Sequence, residues 1–271
     1  MRKQFRLRSA SMEWTSVRHI TRTICFLALV CSVGVSLSAC RARDQKEVHL
    51  AVAANFTEPA KELAKLFQQK TGHIALLSFG STGQLFTQIT QGAPFDVFIA
   101  ADQETPRKAI GQDLAVAESL FTYAVGKIAL HSAIFDLSSG EMVLRGGRFE
   151  KVAIANPATA PYGAAAIEAM KSLGLYEALQ KKIVQGNNIA QTFQFVETGN
   201  AELGFVALSQ VIGRDPKSIW IIPDTLYSPI RQDSVLLNKG AENEAARAFM
   251  TFLKSPGAGE VIERYGYAQS P

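Results

Sequence analysis

"HLAVAANFTEPAKELAKLFQQKTG", residues 49–72, decides the fold. Apolar residues run unbroken from Leu50 to Ala54, and the polar residues Asn55 and Thr57 interrupt them. Ala60, Leu63, Ala64 and Phe67 then recur at helical spacing. A short strand therefore turns straight into an amphipathic helix, with polar side chains at the corner. The arrangement returns in "IALLSFGSTGQLFTQI", residues 74–89, where Ser81 and Thr82 stand at the turn.

Outward from these two units, "FDVFIAA", "KVAIAN", "KIVQG", "LGFVAL" and "SIWIIP" are further short apolar runs of strand type. Helical spacing separates them at Ala164, Ile167 and Ala169 to Met170, and again at Ala246, Phe249, Met250 and Leu253 near the end. Strand and helix in alternation imply an α/β fold, with mostly parallel sheets covered on both faces. A chain of this length builds one large domain or two small ones. For two, the expected crossings are the ordered stretches "FTYAVGKIAL" (121–130) and "LYSPIRQDSVLL" (226–237). The first domain is then discontinuous, 41–125 plus 232–271, and the second is 126–231.

The first forty residues follow other rules. Residues 1–23 hold six Lys or Arg against one Glu, and "ICFLALVCSVGVSLSAC" (24–40) is an apolar run ending in small residues. That is an export signal. "LSAC" resembles a bacterial lipobox, which implies cleavage before Cys40 and acylation of its thiol. At about 0.8 kcal/mol per buried methylene, several chains anchor a soluble domain to membrane lipid. The alternative reading is an uncleaved membrane helix, for which the run is slightly short. Localisation is then periplasmic or cell-surface. All three cysteines, Cys25, Cys31 and Cys40, fall in this segment, so the remainder has no disulfide, thiolate metal site or cysteine nucleophile. Without the leader, 22 basic and 23 acidic residues remain, so the apparent net charge of +4 belongs to the signal. A balance near −1 gives no electrostatic reason to bind nucleic acid.

In α/β sheets, ligands bind beyond the carboxyl ends of strands, where helix N-termini present unpaired N–H groups and a positive dipole end that suit an anion. Four strand-to-helix turns qualify: Asn55 with Thr57; Ser81, Thr82 and Gly83; Tyr162 and Gly163 in "NPATAPYGAAAIEAM"; and Asn187, Asn188 and Ile189 in "GNNIAQTFQFVETG". Taken singly, each is an ordinary helix cap. Together, with no Lys or Arg in any of them, they make a neutral cage of donors if two domains close around it. No nucleophile elbow, Walker loop, dinucleotide glycine pattern or zinc helix is present. His49, His73 and His131 are far apart and read as surface or capping residues, while Asp96 and Asp102 read as braces of the turn "FDVFIAAD".

"AVAANFTEPAKELAKLFQQKTG", "LSFGSTGQLFTQITQGAPFDVFIAADQ", "GNAELGFVALSQV" and "AFMTFLKSPGAGEVIERYGY" resemble the periplasmic molybdate-binding proteins of ABC importers, over nearly all of residues 47–267. The resemblance implies a two-domain hinged periplasmic-binding-protein fold of type II with its ligand cleft between domains. It also implies molybdate or tungstate as ligand, a membrane permease as partner, a monomer, no cofactor and no catalysis. The family's first-domain ligands fall on Asn55 and Thr82, with Ser81 adjacent, and its second-domain ligands on Tyr162 and the backbone amide of Ile189. Many members have Ser where Asn55 stands, and some have a binding Tyr where Ala207 stands. Tyr162 is then expected to supply the missing phenol, and the Asn55 amide to replace a serine hydroxyl. The alternatives are another tetrahedral oxyanion such as sulfate or phosphate, or a lipid-anchored oxyanion sensor.

Overall fold

The computed structural model describes residues 46–268; the signal 1–40, Cys40 included, lies outside them. In chain order the strands are β1 (Glu47–Ala53), β2 (Ile74–Gly80), β3 (Val97–Ile99), β4 (Phe121–Gly126), β5 (Ile128–His131), β6 (Val152–Ala155), β7 (Ile183–Gly186), β8 (Leu203–Ala207), β9 (Ile219–Ile221) and β10 (Ile230–Leu236). The helices are α1 (Thr57–Thr71), α2 (Thr82–Thr90), α3 (Glu104–Gly111), α4 (Glu141–Gly146), α5 (Pro161–Ser172), α6 (Tyr176–Leu179), α7 (Ile189–Glu197), α8 (Leu208–Val211), α9 (Glu244–Leu253) and α10 (Pro256–Arg264). Among the described residues, no helix is long and apolar enough to cross a membrane.

The opening stretch folds as its pattern dictates. β1 is buried along its second half, as a strand covered on both faces must be. A 3-10 turn, Ala54–Phe56, carries the chain into α1, which buries Pro59, Ala60, Leu63 and Phe67 on one face. Gly72 ends the helix at φ 79°, and its N–H bonds to Gln68 O at 2.8 Å.

Two five-stranded sheets result, ordered β2-β1-β3-β10-β4 and β7-β6-β8-β5-β9. In each, the first three strands are parallel. The remaining pairings are antiparallel because one strand of each sheet, β10 in the first and β5 in the second, runs against the other four, so the sheets are mixed and mostly parallel in strand direction. The reason is where the chain crosses. It leaves the first sheet at Gly126 and enters the second at Ile128, on the side where the parallel strands end. β5 must therefore run back against β8, and β10 runs back against β3 for the same reason after Ile221. The carboxyl ends of β1 and β6 consequently face each other.

Each sheet has its own apolar core. Val48, Leu50, Leu63 and Phe67 pack with Phe249, Phe252 and Val261 of the closing helices on one side. Ile128, Leu130, Ile154, Met170 and Phe205 form the other core, which also takes in Ala53, Ala54 and Ala101 from the first sheet. Phe56 is fully buried where the polar corner meets the first core, edge-on to Tyr123 at 4.9 Å and to Tyr267 at 5.4 Å. Phe56→Ala is expected to lower stability by about 3–5 kcal/mol, read as a shift in the urea unfolding midpoint; a loss below about 1 kcal/mol would show that this packing does not support the corner.

Candidate functional site

Asn55, Ser81, Thr82, Tyr162 and Ile189, spread over 135 residues of sequence, line a single small cavity with Ala53, Ala54, Ala101, Ala160 and Pro161. Its volume is about 10 Å³, and no charged side chain lines it. Asn55 stands in the 3-10 turn after β1 and is 3% exposed. Ser81 caps α2 in a reciprocal pair: its hydroxyl accepts from Gln84 N at 3.4 Å, and its own N–H donates to Gln84 Oε1 at 3.2 Å. Thr82 Oγ1 accepts from Ala101 N at 3.0 Å. Both hydroxyls thus keep their own hydrogens to donate. Ile189 opens α7, where a backbone N–H has no intrahelical acceptor. Asn188 takes the next two, from Ala190 N and Gln191 N, at 3.0 Å each.

Other turn residues have structural duties. The Thr57 hydroxyl donates to Ala54 O at 2.8 Å, and Asn187 N donates to Gln191 Oε1. Ala207 is buried at the end of β8, outside the cavity lining, and its N–H donates to Gln210 Oε1. Gly83 brings the two halves together: its N–H donates to Thr159 O at 2.9 Å, and a Cβ there would lie 3.1 Å from the Thr159 backbone. Ser209 Oγ makes a second bond across, to Asn55 O at 2.8 Å.

Behind the cavity lies a buried polar cluster that the sequence pattern did not reveal. Asn55 Nδ2 donates to Gln232 Oε1 (2.8 Å) and Tyr267 Oη (3.0 Å) and lies 3.4 Å from Tyr162 Oη. Gln232 Nε2 donates to Tyr162 Oη at 3.0 Å, and the single hydrogen of the Tyr123 hydroxyl is shared between Ala100 O and Gln232 Oε1, each 2.9 Å from Tyr123 Oη. Gln232, Tyr123, Tyr267 and Ser209 are therefore additions to the predicted set. The available signal was a polar run, Arg231 to Ser234, inside a strand that begins and ends apolar. An irregularity between Gln232 and Asp233 turns these neighbours to different partners. Gly126 makes room for the cluster, since a Cβ there would fall 2.1 Å from Tyr162 Oη.

Burial pushes the Tyr123 and Tyr162 phenols well up and Tyr267 to about 12. All three are neutral donors at physiological pH. Two histidines depart from expectation. His73 and His131 are buried, the latter between Ser218 O and the Glu197 carboxylate, both at 2.9 Å, because distant residues that a local pattern cannot reveal supply their partners. Asp102 does brace its turn, accepting from Thr105 N at 2.7 Å and from the Thr105 hydroxyl at 2.9 Å.

A larger opening of about 490 Å³ lies between Gly83, Asp102, Glu168 and Arg231. It mixes carboxylates with Lys108 and Arg231 and contains none of Asn55, Ser81, Thr82, Tyr162 or Ile189, so its chemistry has no preference for an anion. All five of those residues line the small cavity instead.

The chain belongs to the bacterial extracellular solute-binding proteins, whose family model matches residues 48–268. It is 52% identical over 240 residues to the molybdate-binding protein ModA of Rhodobacter capsulatus, covering 89% of this chain and 94% of that protein. Identity to ModA of Azotobacter vinelandii is also 52%, over 244 residues, covering 88% of this chain and 96% of that one. The solved structure of the Azotobacter vinelandii periplasmic molybdate-binding protein superposes with a TM-score of 0.79 at 38% identity, covering 83% of this chain and all of that one.

The raised phenols make stability depend on alkaline pH. A pKa raised on folding contributes stability that is complete below the unfolded value, about 10, and is lost as pH rises through the folded one. Far-UV circular dichroism in graded urea is expected to show constant stability from about pH 7 to about pH 9, then a fall between about pH 10 and about pH 12. A flat profile to about pH 12 would contradict burial of these hydroxyls.

Proposed function

We propose that the protein captures molybdate, and tungstate with it, outside the cytoplasm and hands it to the permease of an ABC importer. It is a carrier, without a catalytic step or a cofactor. The observation that carries this reading is the cavity of neutral donors, in a chain half identical to ModA proteins along nearly its whole length. The ligand groups are Asn55, Ser81, Thr82, Tyr162 and the Ile189 amide. A dianion leaving water loses a large hydration energy, which charge-assisted hydrogen bonds of about 1.5–3 kcal/mol each offset. Neutral donors leave no unpaired buried charge when the site empties. They also leave the proton of hydrogen phosphate without an acceptor, which argues for rejection of that ion.

The hinged lobes are 41–125 plus 232–271, and 126–231. A cavity of about 10 Å³ is close to one water-sized sphere, so seating four oxygens requires the walls to part, which rotation about the crossings at Gly126 and after Ile221 supplies. Both walls come from one chain, so a monomer suffices. The ending "LSAC" supports anchoring in membrane lipid through Cys40.

Isothermal titration of residues 41–271 against molybdate, tungstate, sulfate and phosphate tests the reading. One-to-one binding of the first two, with the last two silent, is expected. Tyr162→Phe is expected to weaken molybdate by about ten- to a hundredfold, and unchanged affinity would remove Tyr162 from the ligand set. Binding of sulfate or phosphate alone would overturn the choice of molybdate. For the anchor, Cys40→Ser is expected to move the protein from the membrane fraction to the soluble one; continued sedimentation with membranes would refute lipidation there.

A further inference from the structure

Gln232 lies on β10 and is wholly buried. Its carboxamide oxygen accepts from Asn55 Nδ2 at 2.8 Å and from the Tyr123 hydroxyl at 2.9 Å, while its nitrogen donates to Tyr162 Oη at 3.0 Å. One side chain therefore bonds a cavity residue that follows the first sheet's β1 and another that follows the second sheet's β6. The direction of these bonds is set by groups that cannot reverse. Asn55 O is a backbone carbonyl and only accepts, from Tyr267 and Ser209; with its hydrogen given there, Tyr267 Oη accepts from Asn55 Nδ2, and the other Asn55 hydrogen then fixes Gln232 Oε1 as the acceptor and its nitrogen as the donor. Tyr162 Oη receives an N–H hydrogen from Gln232, while Asn55 Nδ2, 3.4 Å away, has its two hydrogens on Gln232 Oε1 and Tyr267 Oη. With Gln232 donating to its oxygen, Tyr162 keeps its own hydrogen to give, either to the Tyr267 hydroxyl beside it or to a stronger acceptor in the cavity it lines.

We propose that Gln232 is a positioning residue for anion capture: without touching the ligand, it makes the Tyr162 hydroxyl a donor toward the cavity and keeps Asn55 and Tyr162 in register across the two halves. This inference rests on the oxyanion reading above.

Gln232→Glu keeps the length and replaces the N–H donor with a group whose behaviour depends on pH. Ionised, the carboxylate draws the Tyr162 hydrogen inward and places negative charge behind the cage; protonated, it donates as the amide does. The titratable and charged groups around it are Tyr123 on β4, Tyr162 on α5, Tyr267, and the carboxylates of Asp102 and Asp233, the latter 3.6 Å from Arg107. Burial and neighbouring carboxylates both favour the protonated form of a new acid there. Gln232→Met removes the bonds at every pH.

The experiment is isothermal titration of the full-length protein in detergent with molybdate, at about pH 8.5 and about pH 6, for wild type and both variants. Wild type is expected to differ by less than about threefold between the two. Gln232→Met is expected to be weaker by about tenfold or more at both, and Gln232→Glu equally weak at the higher pH with most of that loss recovered at the lower. A purely structural role would not give that recovery. The proposal falls if Gln232→Met stays within about threefold of wild type. It also falls if Gln232→Glu, folded by circular dichroism, is equally weak at both pH values. Should Gln232→Glu not fold, Gln232→Met decides alone. Wild type failing to bind molybdate would instead overturn the oxyanion reading, and this inference with it.

Discussion

The buried hydrogen-bond cluster around Asn55 is the constraint on which the rest of the structure depends. A carboxamide that is 3% exposed needs partners for its hydrogens, and it finds them on Gln232 and Tyr267, with Tyr162 beside it; the three come from a returning strand, the C-terminal edge and the opposite half. Leaving any of these groups unpaired costs about 1–3 kcal/mol, so the partners have to arrive together. That requirement ties the orientation of the two sheets to the chemistry of the cavity.

The cluster also explains why the site carries no charge. An arginine or lysine at the turns would bind an anion strongly, but it would stand as an isolated buried cation whenever the anion was absent. Hydroxyls and amides can exchange bonds with one another instead. Ser209 donates to Asn55 O, Gly83 N to Thr159 O and Gln232 Nε2 to Tyr162 Oη, so protein groups alone hold the two halves together at several points.

Much of the site was legible at its corners. Asn55, Ser81, Thr82, Tyr162 and Ile189 each sit where an apolar run gives way to helical spacing, and the α/β rule then assigns such corners to one end of a sheet. What stayed hidden was their support. Gln232 and Tyr267 lie 177 and 212 residues from Asn55, and their neighbourhood shows only a polar break in a strand and a tyrosine near the end of the chain. His131 was misplaced for the same reason: its partners, Ser218 O and Glu197, lie 87 and 66 residues away.

By itself, the sequence determined the alternation of strand and helix, the polar corners, the absence of thiols after residue 40 and the near-neutral charge of the chain beyond the leader. These follow from local periodicity and composition, which depend on near neighbours and on counting. Only the tertiary structure decided which single strand of each sheet runs against the other four, that Gly83 meets Thr159, and that Gln232 stands between Asn55 and Tyr162. Those outcomes depend on which distant segments share a volume, and hydrogen-bond direction in a buried cluster is settled only when all of its members are present.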